Sequence, residues 1–128
     1  LSLLSPKVFG EGSRLFTEFK GALTENFILQ SLIPQFEVSP RYWSDNIYEV
    51  DFVIQHENDV FPIEVKAEKN TKSKSLLKFK EKYSENVKLR VRFSFDNLIL
   101  DGDLLNIPLF MVDYTKKLID IVLRKEYL

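Results

Sequence analysis

The chain has 128 residues, enough for one domain with a core of its own and short of what two domains need. A composition 45% hydrophobic with eleven Phe excludes a disordered segment, and a net charge of −1 with a pI of about 5.9 excludes a wholesale basic footprint for nucleic acid, leaving only a local patch. The lack of Cys removes disulfides and thiol chemistry, and a single His leaves any metal to oxygen ligands, the donor set of Mg²⁺ or Mn²⁺.

No apolar run approaches the roughly 20 residues of a membrane span, and no basic-then-apolar leader opens the chain, so no membrane partner is expected. The first residue is Leu1, not Met, and the sequence is expected to be a piece of a longer cytoplasmic protein. Residues 1–13, punctuated by Ser, Pro and Gly, read as a linker-like segment, and 14–128 as a single domain. From Arg14 to Ile33 the spacing is helical: Leu15, Phe19, Ala22, Asn26, Leu29 and Ile33 recur at three- and four-residue steps, with Phe16, Leu23 and Phe27 alongside, and Pro34 closes the helix.

Strands are predicted over Arg41–Ser44, Tyr48–Gln55 and Val60–Lys66. Alternation puts Val50, Phe52 and Ile54 on one face of the second, and Glu49, Asp51, Val53 and Gln55 on the other. In the third strand Phe61, Ile63 and Val65 oppose Pro62, Glu64 and Lys66. His56–Asp59 is a polar turn, which makes a catalytic role for His56 improbable. Tyr42 and Trp43 read as sheet or core residues. A Lys/Ser-rich stretch, Ala67–Ser75, leads to a helix over Leu76–Tyr83, then a strand over Lys88–Phe95 and an Asp-Gly turn at Asp101-Gly102 within Asn97–Asn106. Pro108 suits the first turn of a last helix reaching Arg124, with Phe110, Tyr114, Leu118 and Ile121 on one stripe. The order α-β-β-β-α-β-α describes an α/β (α+β) domain whose mixed central sheet is flanked by helices.

Pairing Gln55 with Val60 across the turn sets Asp51 opposite Glu64 and Glu49 opposite Lys66. Opposed side chains sit roughly 4.5–5.5 Å apart at Cβ. Two such carboxylates repel unless a proton or cation compensates, and a hard divalent ion does so well. Lys66 points to the same side and can orient or help deprotonate a water, an arrangement suited to metal-assisted phosphodiester hydrolysis. The same residues also fit an ordinary solvated hairpin face carrying a Glu49–Lys66 or Glu64–Lys66 ion pair. The segment Lys66–Lys82, with Glu68 and Glu81 its only acids, is either a solvated face or a phosphate-binding rim in which Lys72, Lys74 and Lys78 touch nucleic acid. Arg90 and Arg92 share a strand face and either join that rim or are simply exposed.

Asp51 followed after twelve residues by Glu64-Val65-Lys66 resembles the PD-(D/E)xK nuclease superfamily, and Val50 stands where that motif has Pro. The wider text FTEFKGALTENFILQSL, YEVDFVIQ, IEVKAEKNTKSKSL and IPLFMV, across residues 16–112, resembles the C-terminal domain of unknown function of a prokaryotic AAA-type ATPase family. The resemblance implies a restriction-endonuclease-like fold and a metal-dependent DNA endonuclease-like activity, with Asp51, Glu64 and Lys66 catalytic. Related resolvase-like members add a glutamate from the first helix, and Glu25 matches it, so the implied ligands of Mg²⁺ or Mn²⁺ are Glu25, Asp51 and Glu64. Without the resemblance Glu25 reads as a solvated helix charge, although no Lys or Arg stands at 21, 22, 28 or 29 to pair with it. The implied partners are DNA and an upstream ATPase domain of the same chain. The alternative is a catalytically inactive module that binds nucleic acid, or regulates the ATPase or makes it a homodimer. No GxxxxGK[ST] occurs, so this segment does not itself hydrolyse ATP through a P-loop.

Overall fold

A computed structural model describes residues 13–36, 41–45, 47–66 and 74–124, with only the backbone described for 13–19. Helix α1, Ser13–Leu32, runs into a 3-10 turn at Ile33–Gln35, where Pro34 has no N–H to continue the α-helix. Strands β1 (Arg41–Asp45), β2 (Tyr48–His56) and β3 (Asp59–Lys66) follow as an antiparallel meander. Helix α2, Lys74–Lys82, carries the chain to β4 (Arg90–Ser94), which lies parallel to β3. Strands β5 (Ile99–Asp101) and β6 (Leu104–Pro108) form a hairpin, β6 parallel to β4, before a 3-10 segment at Leu109–Tyr114 and helix α3, Thr115–Arg124.

The result is a six-stranded mixed sheet in the order β1-β2-β3-β4-β6-β5, an α/β arrangement consistent with a restriction-endonuclease-like fold. The element order is α-β-β-β-α-β-β-β-α, two strands more than expected. The Asp101-Gly102 turn is the tip of a hairpin, with Gly102 at φ 61°, where a residue with a Cβ is strained. Pro108 ends β6 instead of opening a helix, and Pro at the end of a strand interrupts no further ladder.

Two apolar layers sandwich the sheet. On one side Ile54, Phe61, Ile63, Val91, Phe93, Leu105 and Ile107 pack under Ile28 and Leu32 of α1, Phe36, Val112 and Ile119 of α3. On the other, Val50, Val53, Val60 and Leu104 meet Leu76 and Phe79 of α2, Val87 and Trp43. Fully burying one such large side chain contributes about 1.5–3 kcal/mol. The helical stripes differ from expectation. In α1 the buried positions are Ile28 and Leu32, while Leu23, Phe27 and Ile33 are exposed. Of the stripe expected for the last helix, Phe110 and Tyr114 fall in the 3-10 segment and are exposed, while Thr115 and Ile119 of α3 are buried, because the helix starts seven residues after Pro108 and its phase is set from there. Trp43 packs edge-on against Phe79 at 5.1 Å between centroids, but Tyr42 is exposed.

Candidate functional site

The β2–β3 hairpin has the expected register: Phe52↔Ile63, Val53↔Pro62, Ile54↔Phe61 and Gln55↔Val60, closed by His56↔Asp59. The expected face assignment holds only as far as Phe52. Against β1, Arg41 pairs with Val53 and Trp43 with Val50, so three steps along β2 oppose two along β1. This is a β-bulge at Asp51–Phe52. It slips the alternation, so Val50 joins Val53 beneath α2 while Phe52 and Ile54 face α1.

The bulge re-aims Asp51. Asp51 and Glu64 do not appear as a ladder pair. Instead, Val65 N–H donates to Asp51 Oδ2 at 2.7 Å, so the side chain takes the place of a ladder partner where β2 and β3 part. Glu25 lies one turn before Ile28 on the sheet-facing stripe of α1, and this brings its carboxylate against that of Asp51. Burial first, then the charge of Glu25 and hydrogen bonding with it, push the Asp51 carboxyl up from 3.8 to about 6; the Val65 N–H and Lys66 act the other way.

Glu64 is 7% exposed. Its Oε1 lies 3.2 Å from Lys66 Nζ, while Oε2 has no hydrogen-bond partner, the one such buried side-chain atom among the described residues. A bare buried carboxylate oxygen costs more than it returns unless something else engages it. The four residues singled out by the sequence therefore form one electrostatic chain: Glu25 hydrogen-bonded with Asp51, Asp51 within the field of Lys66, and Lys66 paired with Glu64. They stand as two pairs joined through the lysine. Among the described residues no three acidic or histidine side chains gather closely enough to hold a metal ion. By donor chemistry the residues fit a hard divalent cation: all ligands are carboxylates, one buried oxygen is unsatisfied, and Asp51 and Glu25 repel in the way a cation relieves.

Lys74 is exposed, Lys78 pairs with Glu81 at 3.5 Å and lies over Tyr48, and Lys72 is outside the described residues. Arg90 and Arg92 share a face as expected but are not simply exposed. Arg90 forks onto Asp103, with Nη2 2.7 Å from Oδ1 and Nε 3.2 Å from both oxygens, and Lys80 joins the same carboxylate. Glu49 pairs with Ser44 in the β1 ladder, the β2–β3 pairs end at Phe52↔Ile63, and Lys66 makes its ion pair with Glu64. His56 binds Asp120 of α3 through Nε2 at 2.8 Å, tying the turn end of the hairpin to α3 at the far end of β2 from Asp51.

A polar row escaped the sequence reading. Across the sheet Glu64 neighbours Arg92, and Arg92 neighbours Asn106; one step on, Lys66 neighbours Ser94. Ser94 and Asn106 are buried, although central parallel strands are normally apolar on both faces. The signal was present as Arg90, Arg92 and Ser94 at alternate positions of RVRFS and as the single Asn106 of LLNIP, but Asn106 fell in a stretch that read as a turn.

The chain belongs to the DUF4143 family, described as a domain of unknown function, whose model matches residues 20–110. No curated protein and no solved structure matches it.

Proposed function

Starting from a family whose description states no activity, we propose that this domain is a metal-dependent nuclease module of the PD-(D/E)xK type, acting on DNA beside an ATPase domain of the same cytoplasmic protein. The observation that carries the reading is the electrostatic chain Glu25–Asp51–Lys66–Glu64, with Glu64 buried and its Oε2 unsatisfied. Glu25, Asp51 and Glu64 would hold Mg²⁺ or Mn²⁺ only with the Glu25–Asp51 pair and Glu64 drawn closer together than they stand in this structure. A divalent ion there would supply charge neutralisation at a phosphoryl oxygen and lower the pKa of the attacking water. Lys66 Nζ, fixed by Glu64 Oε1, orients that water. The Val65 N–H holds Asp51 in place, so the lysine and the carboxylates keep a set geometry.

The test is cleavage of branched, single-stranded and duplex DNA by the full chain with Mg²⁺ or Mn²⁺. Divalent-dependent cutting is expected, lost in Glu64→Ala and Lys66→Ala while circular dichroism shows both folded. A wild type that cuts nothing, or variants that cut equally well, would overturn the reading. A non-cleaving module that binds nucleic acid or regulates or dimerises the ATPase is favoured by one observation: Glu64 is already engaged by Lys66, and Asp51 by Val65 N–H and Glu25. For that module, calorimetry with Mn²⁺ shows no binding to the wild type or to Asp51→Asn.

A further inference from the structure

The two faces of the edge strand β1 meet different surroundings. Trp43 turns under α2, where its ring meets Phe79, and it is the one β1 side chain in either apolar layer among the described residues. Successive side chains of a strand point to opposite faces, so Tyr42 and Ser44 stand on the α1 side. There α1 packs over strands nearer the centre of the sheet, and the edge is left in solvent: Tyr42, Ser44 and Glu49 are exposed, Tyr42 by 62%.

Tyr42 also stands opposite the bulge. Between the pairs Arg41↔Val53 and Trp43↔Val50, both Asp51 and Phe52 lie across from it. Asp51 is held there by the Val65 N–H and meets Glu25, so the tyrosine ring borders the carboxylate cluster. Hydrogen bonding with Glu49, then partial desolvation, raise the Tyr42 hydroxyl above the ordinary tyrosine value; Ser44 acts the other way, and the charges of Glu49 and Asp51 add to the rise. The phenol therefore stays neutral, its hydroxyl end tied to Glu49 and its ring open.

Charge alone is a poor grip for a nucleic acid at this end of the sheet. Glu25, Glu49 and Asp51 repel phosphates, and Lys66 is paired with Glu64. A nucleobase carries no net charge, and an aromatic side chain holds it by stacking whatever its sequence. Only an unpaired base offers a face for this, since inside a duplex both faces are already stacked.

We infer that Tyr42, on the open edge strand across from the Asp51 bulge, is a stacking platform for an unpaired nucleobase, which makes single-stranded DNA the substrate class of this site. The inference rests on reading the Glu25–Asp51–Lys66–Glu64 end as a nucleic-acid site. Tyr42 touches the base, and Glu49 is a positioning residue that holds the ring through its hydroxyl.

The experiment is fluorescence anisotropy with the full chain, in EDTA and in Ca²⁺, beside the metal-dependent cleavage assay. The probes are labelled oligothymidylate, a strand of the same length made of abasic residues, and a duplex. The wild type is expected to prefer oligothymidylate to the abasic strand about tenfold, the usual worth of one base on an aromatic ring. Tyr42→Ala should lose that preference, keep its affinity for the duplex, and leave the slope of log affinity against log salt unaltered, because the ring carries no charge. Tyr42→Phe keeps the ring and should retain the preference to within about threefold. A ring that only props β1 would weaken binding of all three probes alike, and that result overturns the inference. So does a wild type that binds the abasic strand as well as oligothymidylate, or a Tyr42→Ala variant that keeps the preference, even if cleavage is confirmed. A base preference that depends on Tyr42 without any cleavage upholds the inference and rejects the nuclease reading. A wild type that neither binds nor cuts overturns both.

Discussion

Replacing Asp51 by Asn is expected to stabilise the protein at neutral pH and to leave it unchanged in acid. Burial, followed by the charge of Glu25 and hydrogen bonding with it, raises the Asp51 carboxyl from 3.8 to about 6 against the opposing pull of the Val65 N–H and Lys66. Between those values the native state binds more protons than the unfolded chain, so stability falls as pH rises from 3.8 to about 6 and stays low above it. At about 1.4 kcal/mol per pH unit the interval corresponds to about 3 kcal/mol. Partial access of solvent to this end of the sheet reduces it to about 2 kcal/mol. Asparagine removes the charge but keeps a carbonyl for the Val65 N–H, now 2.7 Å from Oδ2, and gains an amide that can donate to Glu25. Urea unfolding at about pH 7.5 should therefore show Asp51→Asn more stable than wild type by about 1–2 kcal/mol, and at about pH 4 a difference near zero. A neutral or destabilising effect at the higher pH, or an equal gain at both, would refute the reasoning.

Asp103 works with the opposite sign. The hydrogen bonds from Arg90, and after them those from Lys80, hold its carboxyl down at about 2, so its contribution is present above 3.8 and is lost as pH falls toward 2. Asp103→Asn should cost about 1 kcal/mol at neutral pH, the partly exposed pair being screened, and almost nothing near pH 2; thermal melts at both pH values measure it, and an equal loss at both would count against an ionic origin. At the tip of the β2–β3 turn, Glu57 has φ 60°, a left-handed conformation that disfavours any residue with a Cβ. Glu57→Gly should raise stability by about 0.5–1 kcal/mol in urea titration, and a drop would mean that the glutamate makes a contact worth more than the strain it carries.

The hairpin register was legible because a hydrophobic alternation and a polar turn leave few alternatives: one pairing, Gln55↔Val60, fixes the rest down to Phe52↔Ile63. The bulge at Asp51 was not legible, since one extra residue leaves the alternating text of YEVDFVIQ unchanged while turning Val50 to the other side. This is why parity alone put Asp51 and Glu64 on one face, and why the structure joins them through Lys66 and Val65 instead. In α1, apolar residues surround the helix almost completely, so its true core stripe of Ile28 and Leu32 could not be separated from the exposed Leu23 and Phe27 by spacing. Glu25 entered the expected site through the family resemblance, with a solvated helix charge as the alternative; its place one turn before Ile28 appears only once that stripe is known. Ser94 and Asn106 were hidden because burial of a polar side chain depends on partners from strands distant in the chain.

The row Glu64–Arg92–Asn106 is drawn from three strands that meet only through parallel crossovers, whereas β2 and β3 are joined by a short turn. Loop closure therefore favours the hairpin, and the Asp51–Val65 contact with it, well before β4 and β6 dock. A half-folded chain, in which only the hairpin has formed, displays the carboxylates without the arginine beside them. In such a chain Glu64, buried in the finished sheet, still lacks the β4 strand that neighbours it.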